Sequence, residues 1–246
     1  TSAVKIIKEM MLNGTFTHIV HPNKENLFKN ASIDIIIFRY CKNKSLPKKT
    51  LFNGHVKHLI HTNGMITFSD RSETEQKIFQ DYFKVAVGMV TGKESVYKNK
   101  ELGNIQLLNK KGVKDDYILV AEFPTEKKEL NEYLLEHKDT LIGRKIKKFN
   151  ESNWFEWGAP RNVKLIEENM GKKCIYISNL TRQPEVAFID KVQYFGGALL
   201  MLLPKEDIDL KKVVNYLNSE SFKKNFIYSG RFKIGHRQLS NSIFNV

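Results

Sequence analysis

The chain has 246 residues, 41% of them apolar and 11% aromatic, enough to pack a core for one large domain or two small ones. Lys and Arg number 40 against 27 Asp and Glu, a formal charge of +13. Such an excess favours polyanionic partners, because each cation laid on a phosphate releases condensed counterions. No run of roughly 20 apolar residues could span a bilayer, and the basic segments carry no sustained amphipathic helix, so nucleic acid outranks a membrane as partner. Thr1-Ser2-Ala3-Val4-Lys5 is neither a signal peptide nor an initiator start and reads as a cut inside a longer protein. Cys41 and Cys174 lie far apart and are expected as reduced thiols of a cytoplasmic protein. His55, His58 and His61 are spaced like ligands, but glycines 54 and 64 break the segment and no acidic or thiolate partner adjoins it. No metal is expected.

In chain order, residues 2–13 place Val4, Ile6, Ile7, Met10 and Met11 at helical spacing, with Thr1 or Ser2 as cap and Gly14 as stop. Residues 16–20 and 33–40 read as strands, the second apolar enough to be covered on both faces. Residues 42–64, rich in Lys, His, Asn and Gly with Pro47, read as an exposed connection. Ser72 and Glu75 suggest a capping box before a short helix reaching Tyr82, followed by a strand over 84–90. Gly88–Lys93 superficially resembles a phosphate loop, but it is one residue short of the Walker pattern and Glu94 stands where Ser or Thr should follow. A strand over 117–122 and a helix over 125–137 precede a basic, aromatic stretch from 143 to 164. Strands are predicted at 174–178, 186–189 and 194–203, the last with Gly196-Gly197 marking a bulge or close approach. Helices are predicted over 207–218, 219–228 and 236–242. Strands followed by helices, without regular alternation after residue 45, give an α+β fold class.

Three stretches carry candidate DNA contacts. The first holds Arg144, Lys145, Lys147 and Lys148, then Trp154, then Arg161 and Asn162. Arg and Asn can make bidentate contacts to guanine and adenine edges, and an aromatic cluster beside them offers either stacking or a loop anchor. The second is the turn with Asn179, Arg182 and Gln183. The third, 221–246, has Lys223, Lys224, Arg231, Lys233 and Arg237, no Asp or Glu, and interleaved rings at 222, 226, 228, 232 and 244 that can pack while the cations face phosphates. A solvated helix face is the competing reading of that tail. No glycine-rich cofactor loop, nucleophile elbow or metal-nuclease carboxylate pair is legible.

Several segments, in order, resemble the TaqI-type (gamma-class) N6-adenine DNA methyltransferases. Asn26-Leu27-Phe28 with Ile33–Arg39 resembles the late part of their catalytic domain, and Leu141–Ile146 is similar to a short Gly-Arg segment of their target-recognition domain. Leu203–Glu206, Tyr216–Glu220 and the tail with Ile234–Leu239 are similar to that domain's final helical region. The resemblance implies that Phe28 stacks on an adenine swung out of the duplex. It also implies that residues 1–44 are the end of a class I α/β methyltransferase domain, 45–83 a connecting segment and 84–246 the recognition domain. The family's cofactor motif and its Asn-Pro-Pro-Tyr motif do not occur here. The resemblance therefore implies duplex DNA and an upstream methyltransferase domain as partners, with no cofactor in this chain and S-adenosylmethionine expected for the full-length parent. A non-catalytic specificity subunit and a general basic nucleic-acid-binding module are the alternative readings.

Overall fold

Ile7, Met10 and Met11 recur at the spacing that puts side chains on one helix face, and they pack against Phe16, Ile19 and Leu59. This is α1 (Ser2–Asn13) in a computed structural model that describes residues 2–22, 35–62, 65–70 and 77–244. The Lys48 ammonium closes the helix by donating to the carbonyl oxygens of Met11 and, at 2.6 Å, Gly14. A cation there satisfies free carbonyls and the negative end of the helix dipole.

The helix covers a five-stranded sheet of β1 (Thr15–Val20), β2 (Ile37–Cys41), β3 (Lys49–Phe52), β4 (His55–Thr62) and β5 (Met65–Ser69), in the order β2-β1-β3-β4-β5. β1 and β3 run parallel, and the other neighbours are antiparallel. Two expectations are corrected. The segment read as an exposed connection holds β3 and β4, with Leu59 and Ile60 buried, and Asn53-Gly54, both left-handed, form the two-residue turn that joins β3 to β4. Among the described residues β2 is not covered on both faces and lies at the sheet edge, with Ile36, Ile37 and Phe38 about half exposed.

After α2 (Phe79–Tyr82), the chain enters a second unit. The two compact units are Thr1–Tyr82 with Glu220–Val246, and Phe83–Ser219. The last 27 residues, expected to belong with residues 84–219, cluster instead with the first unit, and β1 to β5 run across the expected 44/45 boundary.

The second unit contains β6 (Phe83–Val87), α3 (Glu94–Tyr97), β7 (Ile105–Lys110), β8 (Val113–Tyr117), α4 (Lys128–Glu136), α5 (Lys138–Ile142) and α6 (Val163–Glu168). It continues with β9 (Lys173–Ser178), β10 (Leu180–Thr181), β11 (Ala187–Lys191), β12 (Leu199–Pro204) and α7 (Leu210–Asn218). Its antiparallel sheet runs β11-β9-β12-β6, and β7 and β8 form a separate hairpin. β12, LLMLLP, is buried along nearly its whole length, as its unbroken apolar sequence requires of a central strand. The strand expected over 117–122 ends at Tyr117. Gly196 makes the close approach expected of it: an added Cβ would lie 2.1 Å from Asn109 Oδ1, and one on Gly88 would lie 2.0 Å from the Gly196 carbonyl oxygen.

The closing segment of the first unit has α8 (Glu220–Lys223), a 3-10 turn (Lys224–Phe226), β13 (Ile227–Tyr228), β14 (Arg231–Lys233) and α9 (His236–Ser240). The helix expected over 219–228 breaks after one turn and a 3-10 extension, because Ser229 and Gly230 both adopt left-handed backbone and turn the chain into a hairpin. The protein is α+β, with several sheets and short helices.

Candidate nucleic-acid interface

The basic stretch after α5 is held by its own first cation. Arg144 is 8% exposed, and its guanidinium donates to the carbonyls of Leu141 (2.7 Å), Thr91 (2.9 Å) and Trp154. It stacks over Phe149 at 3.7 Å and faces Tyr97 at 5.4 Å. Burial lowers its pKa and pushes the Tyr97 hydroxyl, which donates to Phe155 O (2.9 Å), up to about 12. Arg144 thus fastens residue 91 to both ends of the loop, and its fork is occupied by backbone. The expectation that it contacts DNA is corrected on that ground. Trp154 is likewise 2% exposed, packed edge-on to Phe123 and Phe155. It anchors the loop and offers no open face to a base.

On this base the neighbouring cations stay outside. Lys145, Lys148 and Arg161 are exposed and have no ion-pair partner among the described residues. Two contacts bring residues 145–148 and 156–161 together: Lys147 pairs with Glu156 at 2.7 Å, and Ile146 lies so close to Gly158 that an added Cβ there would sit 2.5 Å from Ile146 Cγ2. Gly158 and Ala159 bond back to Thr91 and Val90 at 2.9 Å, completing a closed frame. Asn162 has a structural task. Left-handed at φ 58, it precedes α6 and donates Nδ2 to Val87 O at 2.8 Å, so its amide is committed to β6.

The other two stretches rest on separate supports. Arg182 and Gln183 are exposed in the turn before β11, where Thr181 Oγ1 accepts from the Gln183 backbone at 3.0 Å, while Asn179 is spent on Gly197 O at 2.6 Å. In the closing segment Lys223 pairs with Glu220 at 2.7 Å, whereas Lys224, Lys233 and Arg237 are exposed and Arg231 is half-buried. Of the rings expected to pack, Phe222 and Phe232 are buried, but Tyr228 is 37% exposed, beneath the Lys233 ammonium at 4.4 Å. The hairpin signal was present in the sequence as Ser-Gly between two short apolar-aromatic runs.

Phe28 lies outside the described residues. His55 and His61 fall on one face of β4 and His58 on the other, since strand side chains alternate, and no group of three potential metal ligands occurs among the described residues. No helix among them is long and apolar enough to cross a membrane. S-adenosylmethionine does not fit the glycine-containing turn after β6. The space beside Gly88 is filled by the Gly196 backbone, and Ile146 and Arg144 stand beside Gly92, so no cradle faces a ligand.

No protein-family model matches the chain. Over 213 residues, covering 74% of this chain and 70% of the other, it is 28% identical to the type II methyltransferase M.MjaIV of Methanocaldococcus jannaschii. Its backbone superposes on the type IIL restriction-modification enzyme MmeI, solved in complex with DNA, with a TM-score of 0.52 at 8% identity, covering 97% of this chain. The fold is similar to that of part of MmeI. The chain spans 36% of MmeI's length. The type IIG restriction endonuclease BpuSI aligns over 98% of this chain and 38% of its own at 12% identity, with a TM-score of 0.36, too low to define a shared fold.

Proposed function

We propose that this chain recognises duplex DNA as the target-recognition part of a restriction-modification methyltransferase whose parent methylates adenine N6. The observation that carries the reading is the loop braced by Arg144, which holds Lys145, Lys148 and Arg161 exposed on a rigid frame. Rigid presentation matters because ordering long cationic side chains at an interface costs conformational entropy. The likeness to a type II methyltransferase over most of the chain supports the same class. S-adenosylmethionine belongs, in this reading, to the parent enzyme and not to the described residues of this chain, and DNA binding is its own contribution.

Fluorescence anisotropy with a labelled duplex over a range of salt tests the reading. Each phosphate contact adds about −0.9 to the slope of log K against log salt, so three or more contacts give a slope of about −3 or steeper. Binding indifferent to salt, or an RNA hairpin competing as well as the duplex, would contradict it. Replacing Lys148 should shallow the slope by about one unit, whereas replacing Arg161 should alter site preference by about 1–3 kcal/mol.

A further inference from the structure

The hairpin of β13 and β14 has two unlike faces. Ile227 pairs with Phe232 and Tyr228 with Arg231, and residues opposite one another project to the same side while neighbours alternate. Tyr228, Arg231 and Lys233 therefore share one face, and Ile227 and Phe232 the other. The second face is anchored. Phe232 is buried, and a chain of ring contacts leads from it through Phe226 (6.2 Å) and Phe222 (5.0 Å) to Phe79 (6.1 Å). At the tip, Ser229 and Gly230 have φ of 47 and 67, the left-handed pair that a two-residue hairpin turn requires.

The first face is cationic and aromatic. Lys233 lies over the exposed Tyr228 ring, and the Arg231 guanidinium makes no hydrogen bond or ion pair among the described residues, with its Nε enclosed and lacking an acceptor. From Ser221 to Val246 the sequence has no Asp or Glu, so no acid of this segment neutralises the face. A fork held by packing and uncommitted to any protein acceptor contrasts with Arg144, whose nitrogens are all spent on backbone.

We propose that this hairpin is a groove-reading element in which Arg231 recognises a guanine edge in the major groove, with Tyr228 and Lys233 setting its position. The inference rests on the duplex-DNA reading above and names the element and the base. An Arg fork matches guanine O6 and N7 together, which a lysine ammonium cannot do.

The test uses the full chain. Duplexes are selected by the wild-type protein from a randomised pool, and guanine N7 protection from dimethyl sulfate is mapped for wild type, Arg231→Lys and Tyr228→Ala. The wild type should bind in a salt-dependent way and protect at least one guanine. Arg231→Lys should keep its affinity for scrambled duplex within about threefold, since charge is retained, while losing that protection and roughly tenfold or more of the preference for selected duplex. Tyr228→Ala, at an exposed ring, should lose the same protection and gives a second reading if Arg231→Lys lowers the melting temperature. Unchanged protection and preference in both variants overturn the groove-reading role of the hairpin and leave DNA binding standing. Salt-independent binding by the wild type overturns the duplex reading and the hairpin's role with it.

Discussion

Replacing Arg144 separates a brace from a contact. The side chain is 8% exposed and donates to three backbone carbonyls, and hydrogen bonds involving a charged group contribute about 1.5–3 kcal/mol each. Loop relaxation lets water reach some of the freed carbonyls, so Arg144→Ala should cost less than the sum, about 3–5 kcal/mol. At roughly 4 °C per kcal/mol for a unit of this size, the melting temperature should fall by roughly 10–20 °C. Trp154 and Trp157, the chain's two tryptophans, are both buried in the Phe83–Ser219 unit, so tryptophan emission follows the unfolding of that unit alone. Arg144→Lys keeps the charge but not the fork and should recover less than half of the loss. DNA affinity measured below the melting point should change little. An Arg144→Ala protein that melts like wild type yet binds DNA tenfold more weakly would refute the brace and make Arg144 a direct contact.

Gly88→Ala places a methyl 2.0 Å from the Gly196 carbonyl oxygen and 2.9 Å from Gly197 N, backbone atoms that cannot turn aside, and should cost about 1–3 kcal/mol or more in denaturant unfolding. Gly112→Ala, at φ 68 in open space, should cost only about 1–2 kcal/mol of backbone strain; if the two variants were equal, the close approach at Gly88 would be wrong. Burial raises the Cys174 thiol from 9.0 to about 12, so Ellman's reagent should titrate half-buried Cys41 in the native chain and Cys174 only in denaturant. Ready native modification of Cys174 would contradict its burial. Between pH 9 and about 12 the unfolded thiol releases a proton that the folded one keeps, and Tyr97, raised from 10.0 to about 12 by burial, acts in the same sense. The stabilisation is complete below pH 9 and is lost as pH rises towards 12. Denaturant midpoints should fall across that window, and a flat midpoint would refute the assignment.

The sequence made some of this legible for definite reasons. α1 was readable because Ile7, Met10 and Met11 repeat at helical spacing, and β12 because six residues with no charge in a row suit a central strand. β3 and β4 were missed because their Lys and His mimic the composition of a loop, although Asn53-Gly54 was a legible hairpin signal. Among the candidate contacts, Lys145, Lys148 and Arg161 are exposed. Arg144 looks identical to its neighbours in a basic run. What buries it is the Thr91 carbonyl, 53 residues away, and that proximity is a product of folding. Asn162 misled in the same way, since nothing local announces that its amide reaches Val87. Tyr228 was taken for a packing ring because its neighbours at 222 and 232 are, and only the strand alternation of the hairpin turns it outward.

The edge strand β2 bears on how this protein behaves in solution. Among the described residues it pairs only with β1, and none of them forms a ladder on its outer edge, while Ile36, Ile37 and Phe38 stand about half exposed beside it. That is the template on which strands of separate molecules align. Arg39 within the strand and Lys42 and Lys44 just beyond it act as gatekeepers, because stacking two copies would set like charges side by side. The positive charge that suits this chain to a polyanion therefore also defends its solubility, and salt that screens the first role weakens the second.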